Sequence, residues 1–128
     1  MNTAVGNDRS SRLRQSLCRL RDETAKLLDI FLSRDQHVRG SVYLLRTKCG
    51  KPTCRCADGE ALHSCMAITW TDAGRKRLRS LKPKEQAEMK SFTERYRRLR
   101  RERARLVKLQ AQILDIVDKL EALRRRKP

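Results

Sequence analysis

At 128 residues the chain is about one domain long, and with 38% hydrophobic against 37% charged residues it lacks the apolar content for a large globular core. Lys and Arg number 32 against 15 Asp and Glu, a formal charge of +17, which points to a polyanionic partner and above all to nucleic acid. The opening MNTAVGNDRSS has no apolar run of signal-peptide length, no segment approaches the roughly 18 apolar residues of a membrane span, and the basic segments lack the Trp/Phe wedge of an interfacial helix. The expectation is a cytoplasmic protein with no membrane partner.

Residues 1–9 read as a disordered N-terminus, followed by an amphipathic helix over 10–36. Leu13, Leu17, Leu20, Leu27 and Phe31, with Thr24 filling one place, alternate steps of four and three and so share one stripe. Ser10 or Ser11 suits the N-cap, and Gly40 lies beyond the end.

The pattern then changes over a module at 40–82. "SVYLLRTKC" and "CMAITWTD" are short, β-branched and aromatic, and Ala73-Gly74 marks a turn before "RKRLRSL", which predicts three antiparallel strands. In the third strand Arg75, Arg77 and Arg79 share a face, with Lys76, Leu78 and Ser80 on the other. Tyr43 and Trp70 belong to the core of this small sheet, and His37, in a polar connector, has no assigned role.

Pro83 suits the first turn of a helix, with Glu85 and Glu88 where the helix dipole favours negative charge. A long basic helix of coiled-coil character is predicted over 83–126. Leu99, Leu106, Ile113 and Leu120 recur every seven residues, and Phe92, Tyr96, Arg103, Gln110 and Val117 fill most of the second seam. Arg103 and Gln110 are then polar seam positions that set register or partner number. Leu13, Leu20 and Leu27 keep the same beat, so the two helices could form an antiparallel hairpin. The longer second helix leaves an excess that calls for a homodimer or another coiled-coil protein, held through Leu99, Leu106, Ile113, Val117 and Leu120. The fold class is α+β: a long helix, a small three-stranded antiparallel zinc-stapled β module, and a long basic C-terminal coiled-coil helix.

Between the first two strands runs Cys49-x4-Cys54-x-Cys56-x6-His63-x-Cys65. Five cysteines is an odd number, and in a reducing compartment metal explains them better than disulfides. Zinc takes four thiolate or imidazole donors in a tetrahedron, and Gly50, Pro52 and Gly59 let the chain turn between them. The candidate Zn2+ ligands are Cys49, Cys54, Cys56 and His63, with Cys65 as the alternate fourth. The site is structural in expectation, because no second His joins Asp58 and Glu60 to define an open catalytic position. No phosphate-binding Gly loop, Ser/His/Asp set or carboxylate cluster is present in the sequence, so no residue is assigned as catalytic and the chain is expected not to be an enzyme.

Seven of the eleven residues in "RYRRLRRERAR", Arg95, Arg97, Arg98, Arg100, Arg101, Arg103 and Arg105, are arginine. Guanidinium binds phosphate in planar, bidentate geometry, so these residues, with Arg75, Lys76, Arg77 and Arg79, are the candidate nucleic-acid contacts. Basic-zipper proteins read bases with an asparagine and alanine together, a pairing this segment, which has no asparagine, lacks. Aromatic residues are 4%, too few for single-strand stacking platforms, which favours duplex DNA or structured RNA.

The stretch "CGKPTCRCADG", Cys49 to Gly59, with His63 following, resembles the signature of a family of small, largely uncharacterised prokaryotic proteins, several of them encoded beside transposases. The likeness continues through Gly74, Arg75 and Arg77 to Tyr96–Arg100 and covers roughly Gly40 to Leu106. Where such relatives follow the His with Gly-Pro and tyrosines, this chain has Ser64-Cys65-Met66-Ala67-Ile68. The resemblance implies a fold and a neighbourhood of function, and the net charge, the arginine strand and the arginine-rich helix lead to the expectation of a zinc-stabilised, non-enzymatic DNA-binding accessory factor or regulator of a mobile element. The alternative is a coiled-coil interaction subunit of a larger complex, such as one built on a transposase or nuclease.

Overall fold

The computed structural model describes residues 3–59 and 61–128, with side chains from Asn7 onward. Helix α1 spans Thr3–Phe31, strand β1 Gly40–Thr47, strand β2 His63–Asp72, strand β3 Arg75–Ser80 and helix α2 Pro83–Arg124, with a 3-10 turn at Arg55–Asp58. This is the α+β order expected. The chain divides into two compact units, one of residues 1–34 and 99–128 and one of residues 35–98.

Helix α1 departs from its expected bounds at both ends. It starts at Thr3, so residues 3–9 are helical rather than disordered and Ser10 and Ser11 lie inside the helix; the expectation for residues 1–2 lies outside the described residues. The segment contains no proline, its one Gly6 costs only about 1 kcal/mol, and Asp8 pairs with Arg12 one turn on. At the other end the last turn tightens, Ser33 N–H donating to Ile30 O at 3.3 Å, and the chain leaves the helix before residue 36.

In the first unit the α1 stripe is the one the spacing predicts: Leu13, Leu17, Leu20 and Thr24 are half-buried and Leu27 is buried. The Thr24 hydroxyl donates to Leu20 O at 2.7 Å, so it sits in the stripe without an unmet polar group. On α2 the row Leu99, Leu106, Ile113 and Leu120 is likewise half-buried or buried. Its companion row is Leu109 and Ile116, both buried, and not Arg103, Gln110 and Val117, which are exposed. A heptad seam alternates steps of three and four, and the step from each leucine is three here, which selects the apolar companions. Arg103 and Gln110 therefore lie outside the seam between α1 and α2. The helices run antiparallel: Glu23 accepts from Arg105 at 3.4 Å, Leu20 lines a groove with Ile116, and Leu17 lines another with Leu120.

The second unit is a sheet of order β1-β2-β3, antiparallel throughout. Midway along β2, Ala67 and Ile68 are both buried, so both faces of the central strand are covered there, and Tyr43 and Trp70 are half-buried within the sheet. Leu81 continues beyond β3, donating its N–H to Met66 O at 2.7 Å and burying its side chain. The first part of α2 belongs to this unit up to Arg98. Glu85 anchors it. Its carboxylate accepts from Lys82 N–H at 2.9 Å, the reciprocal half of a capping box, and from Arg79 at 3.0 and 3.2 Å. Arg79 first, and then the Lys82 N–H, hold the Glu85 carboxyl below its ordinary value.

The β2–β3 turn places Ala73 at φ 49 and Gly74 at φ 79. Two left-handed residues match the right-handed twist of the flanking strands, but an alanine there carries a cost of about 1 kcal/mol that asparagine largely avoids. Ala73→Asn is expected to raise stability by about 0.5–1 kcal/mol. A urea midpoint that falls or stays put would contradict this.

Candidate metal centre

Thr47 and His63 form the last rung of the β1–β2 ladder, so the intervening loop leaves and re-enters the sheet at one place. Within it Cys54 N–H bonds Lys51 O at 3.1 Å, Ala57 N–H bonds Cys54 O at 3.0 Å and Gly59 N–H bonds Cys56 O at 3.1 Å, which coils the segment into the 3-10 turn. Gly50 at φ 83 and Gly59 at φ 80 supply the left-handed positions that reverse the chain on either side.

The outcome is a compact donor set. The ligand atoms of Cys49, Cys54, Cys56 and His63 all lie within 4.8 Å of one another. Cys56 Sγ lies 3.4 Å from Cys49 Sγ, and Cys54 Sγ lies 3.2 Å from His63 Nε2. A Zn–S bond of about 2.3 Å implies donor separations of about 3.8 Å around a tetrahedron, so four donors at this spacing can close on one ion with small adjustments. Cys49 N–H also donates to Cys56 Sγ at 3.2 Å, the kind of outer hydrogen bond that orients a thiolate ligand. Cys56 is fully buried, Cys54 is half-buried, and Cys49 and His63 reach the surface.

Of the two candidates for the fourth donor, the structure brings His63 into the cluster and leaves Cys65 out. Cys65 sits further into the sheet, opposite Leu45, with its thiol 3.8 Å from Ser80 Oγ. Cys18 is exposed on α1. Asp58 is exposed and outside the donor set, and Glu60 lies outside the described residues.

The cluster biases its own protonation. The Cys56 backbone N–H first, then the His63 ring and the Cys56 and Cys49 thiols, lower the Cys54 thiol to about 6. For Cys56 the Cys49 N–H pulls downward, but burial and the two neighbouring thiols outweigh it and push the thiol up. A thiol lowered at Cys54 beside one raised at Cys56 is a starting point for capturing a cation, which completes the deprotonation.

The cationic residues divide into paired and unpaired sets. In the second unit Arg79 is tied to Glu85, Arg95 donates to Gln36 O at 3.1 Å while lying over Phe92, and Arg97 faces Glu94 at 3.7 Å. In the first unit Arg105 meets Glu23, and Arg101 is engaged as well. Arg75, Lys76, Arg77, Arg98, Arg100 and Arg103 are exposed and form no ion pair among the described residues. Arg75 and Lys76 stand on the rungs Asp72↔Arg75 and Thr71↔Lys76, beyond Gly40↔Trp70 where β1 begins, so they sit on a two-stranded tip.

A further contact escapes sequence patterns. His37 stacks on Tyr96, centroids 5.7 Å apart, and Arg39 lies 6.0 Å from the same ring, while Val38 N–H bonds Phe92 O at 3.1 Å. The connector is thereby pinned to α2. Its only signal in the sequence is an aromatic residue on the helix and a His–Arg pair in the connector, with no periodicity to join them.

Fold and site together define a small α+β protein with a Cys3His cluster capable of holding a metal ion. The profile of a family described as a domain of unknown function, DUF6788, matches residues 10–91, and the chain belongs to that family. No curated protein and no solved structure matches. The matched stretch includes the four clustered residues and all three strands but ends before Arg95. None of the described helices is long and apolar enough to cross a membrane.

Proposed function

We propose that the chain is a non-enzymatic, zinc-stapled protein that binds duplex DNA or structured RNA through phosphate contacts, as an accessory factor or regulator of a mobile element. Zinc is the metal that a three-thiolate, one-imidazole set suits best, and a set with all four places filled by protein is the structural kind. The observation that carries the nucleic-acid reading is the β2–β3 hairpin, where Arg75 and Lys76 at the two-stranded tip and Arg77 just below it are exposed and form no ion pair among the described residues. A two-stranded ribbon fits the major groove of a duplex, and guanidinium groups on it meet phosphate in bidentate geometry. Unpaired Arg98, Arg100 and Arg103 on α2 add further phosphate contacts. Titrating duplex binding with salt tests this reading, and absence of binding at low salt defeats it.

A second reading, an interaction subunit of a larger nucleic-acid-processing complex, rests on α2. Of the residues expected to hold a partner, Leu120 is buried and Leu99, Leu106 and Ile113 are half-buried within the first unit. Val107 and Leu114, 55% and 62% exposed, together with Val117 form an outward apolar row instead. Leu114→Lys is expected to strip a co-purifying partner from the chain while leaving metal content unchanged; a partner that stays bound counts against this reading.

A further inference from the structure

The two edges of the sheet are built differently. β3 closes one edge with Arg75, Lys76, Arg77 and Arg79 among its six residues, and a row of positive charge on an edge strand discourages further pairing. β1 closes the other with the sequence GSVYLLRT, which holds no proline and one charge, Arg46. Its ladder with β2 runs from Gly40↔Trp70 to Thr47↔His63 without a bulge. Among the described residues no strand pairs with its outer side, and Leu44 is 50% exposed. An unprotected, apolar, eight-residue edge is a ready template for another strand.

We propose that β1 pairs antiparallel with β1 of a second copy of this chain, joining two three-stranded sheets into one continuous sheet with the β3 strands at its far edges. A two-fold axis perpendicular to the sheet gives antiparallel neighbours and keeps each face continuous, so residues opposite one another across the new ladder must come from the same face. With Tyr43 on the axis, Val42 faces Leu44, Ser41 faces Leu45, and Arg46 faces Gly40. Tyr43 meets its own copy, Val42 meets Leu44, Leu45 meets the small Ser41, and the single charge of each strand meets a glycine instead of its own copy, so the strand can pair with itself without a charge clash. The geometry keeps the four basic side chains of each β3 away from their copies. The two β3 strands stand five interstrand spacings apart, about 24 Å, which is roughly three Debye lengths at physiological ionic strength.

The proposal is independent of the nucleic-acid reading. Its test is the mass of the metal-loaded full chain in solution, by light scattering or sedimentation, for wild type, Leu44→Lys and Leu114→Lys. Wild type and Leu114→Lys should be dimers at micromolar concentration, and Leu44→Lys should weaken association by about tenfold or more while retaining its metal. A monomeric wild type, or a dimer that Leu114→Lys dissolves and Leu44→Lys leaves intact, overturns it. Amide hydrogen exchange on the wild type gives a readout without substitution. Protection over residues 40–47 should rise with chain concentration, and exchange that is indifferent to concentration overturns the proposal.

Discussion

Stripping the metal with a chelator is expected to unfold the β module. The second unit buries few side chains, chiefly Cys56, Ala67, Ile68, Leu81 and Thr93, and one of these is itself a donor. Structural zinc contributes about 10–16 kcal/mol of binding free energy near neutral pH in small domains, as much as the whole stability of a typical fold. Its loss therefore exceeds what so small a core can offset. Cys54→Ser is expected to act like the chelator, with no bound metal and a lost strand signal, whereas Cys18→Ser and Cys65→Ser should keep both. An unchanged melting temperature after chelation would contradict this. The pH dependence follows from Cys54, whose thiol is lowered from 9.0 to about 6. A lowered value means that the thiolate's contribution is complete above the ordinary thiol value and is lost as pH falls through about 6. Metal should stay bound from alkaline pH down to about 6 and leave below it; release already near pH 8 would run against the geometry of the cluster.

The second large effect expected is on nucleic-acid binding. Each phosphate neutralised on duplex DNA adds about −0.9 to the slope of log affinity against log salt. If Arg75, Lys76, Arg77, Arg98, Arg100 and Arg103 all reach phosphates, the slope is about −5, and affinity falls about 10³-fold between 50 and 200 mM salt. Changing Arg75, Lys76 and Arg77 to glutamine should flatten the slope by about 3 units and weaken binding most at low salt. Arg79 and Arg105 are the contrast, because Glu85 and Glu23 already neutralise them. Their removal should change stability more than slope. A triple glutamine variant with the wild-type slope would remove the hairpin from the interface.

The strands were legible in the sequence because their signals are local: short β-branched runs, and an Ala-Gly turn that the structure places between β2 and β3. The donor set was legible for the same reason, since Cys49, Cys54, Cys56 and His63 fall within one short loop. Choosing between His63 and Cys65 needed the strand register, which carries Cys65 past the loop to Ser80. Companion positions in the α2 seam were ambiguous in the sequence, because steps of three and four from Leu106 reach Leu109 and Gln110, and only packing against α1 selects the first. The pairing of Arg79 with Glu85 and of Arg105 with Glu23 was hidden by composition, which counts arginines without their partners. His37 against Tyr96 depends on a contact between distant segments and left no local trace.

Elemental analysis of the freshly purified chain bears most directly on the central claim, because the proposed zinc would fix the loop that joins β1 to β2, and β2 carries the basic hairpin. One zinc per chain, absent from Cys54→Ser, is the predicted result. A folded wild-type chain with no bound metal would contradict it.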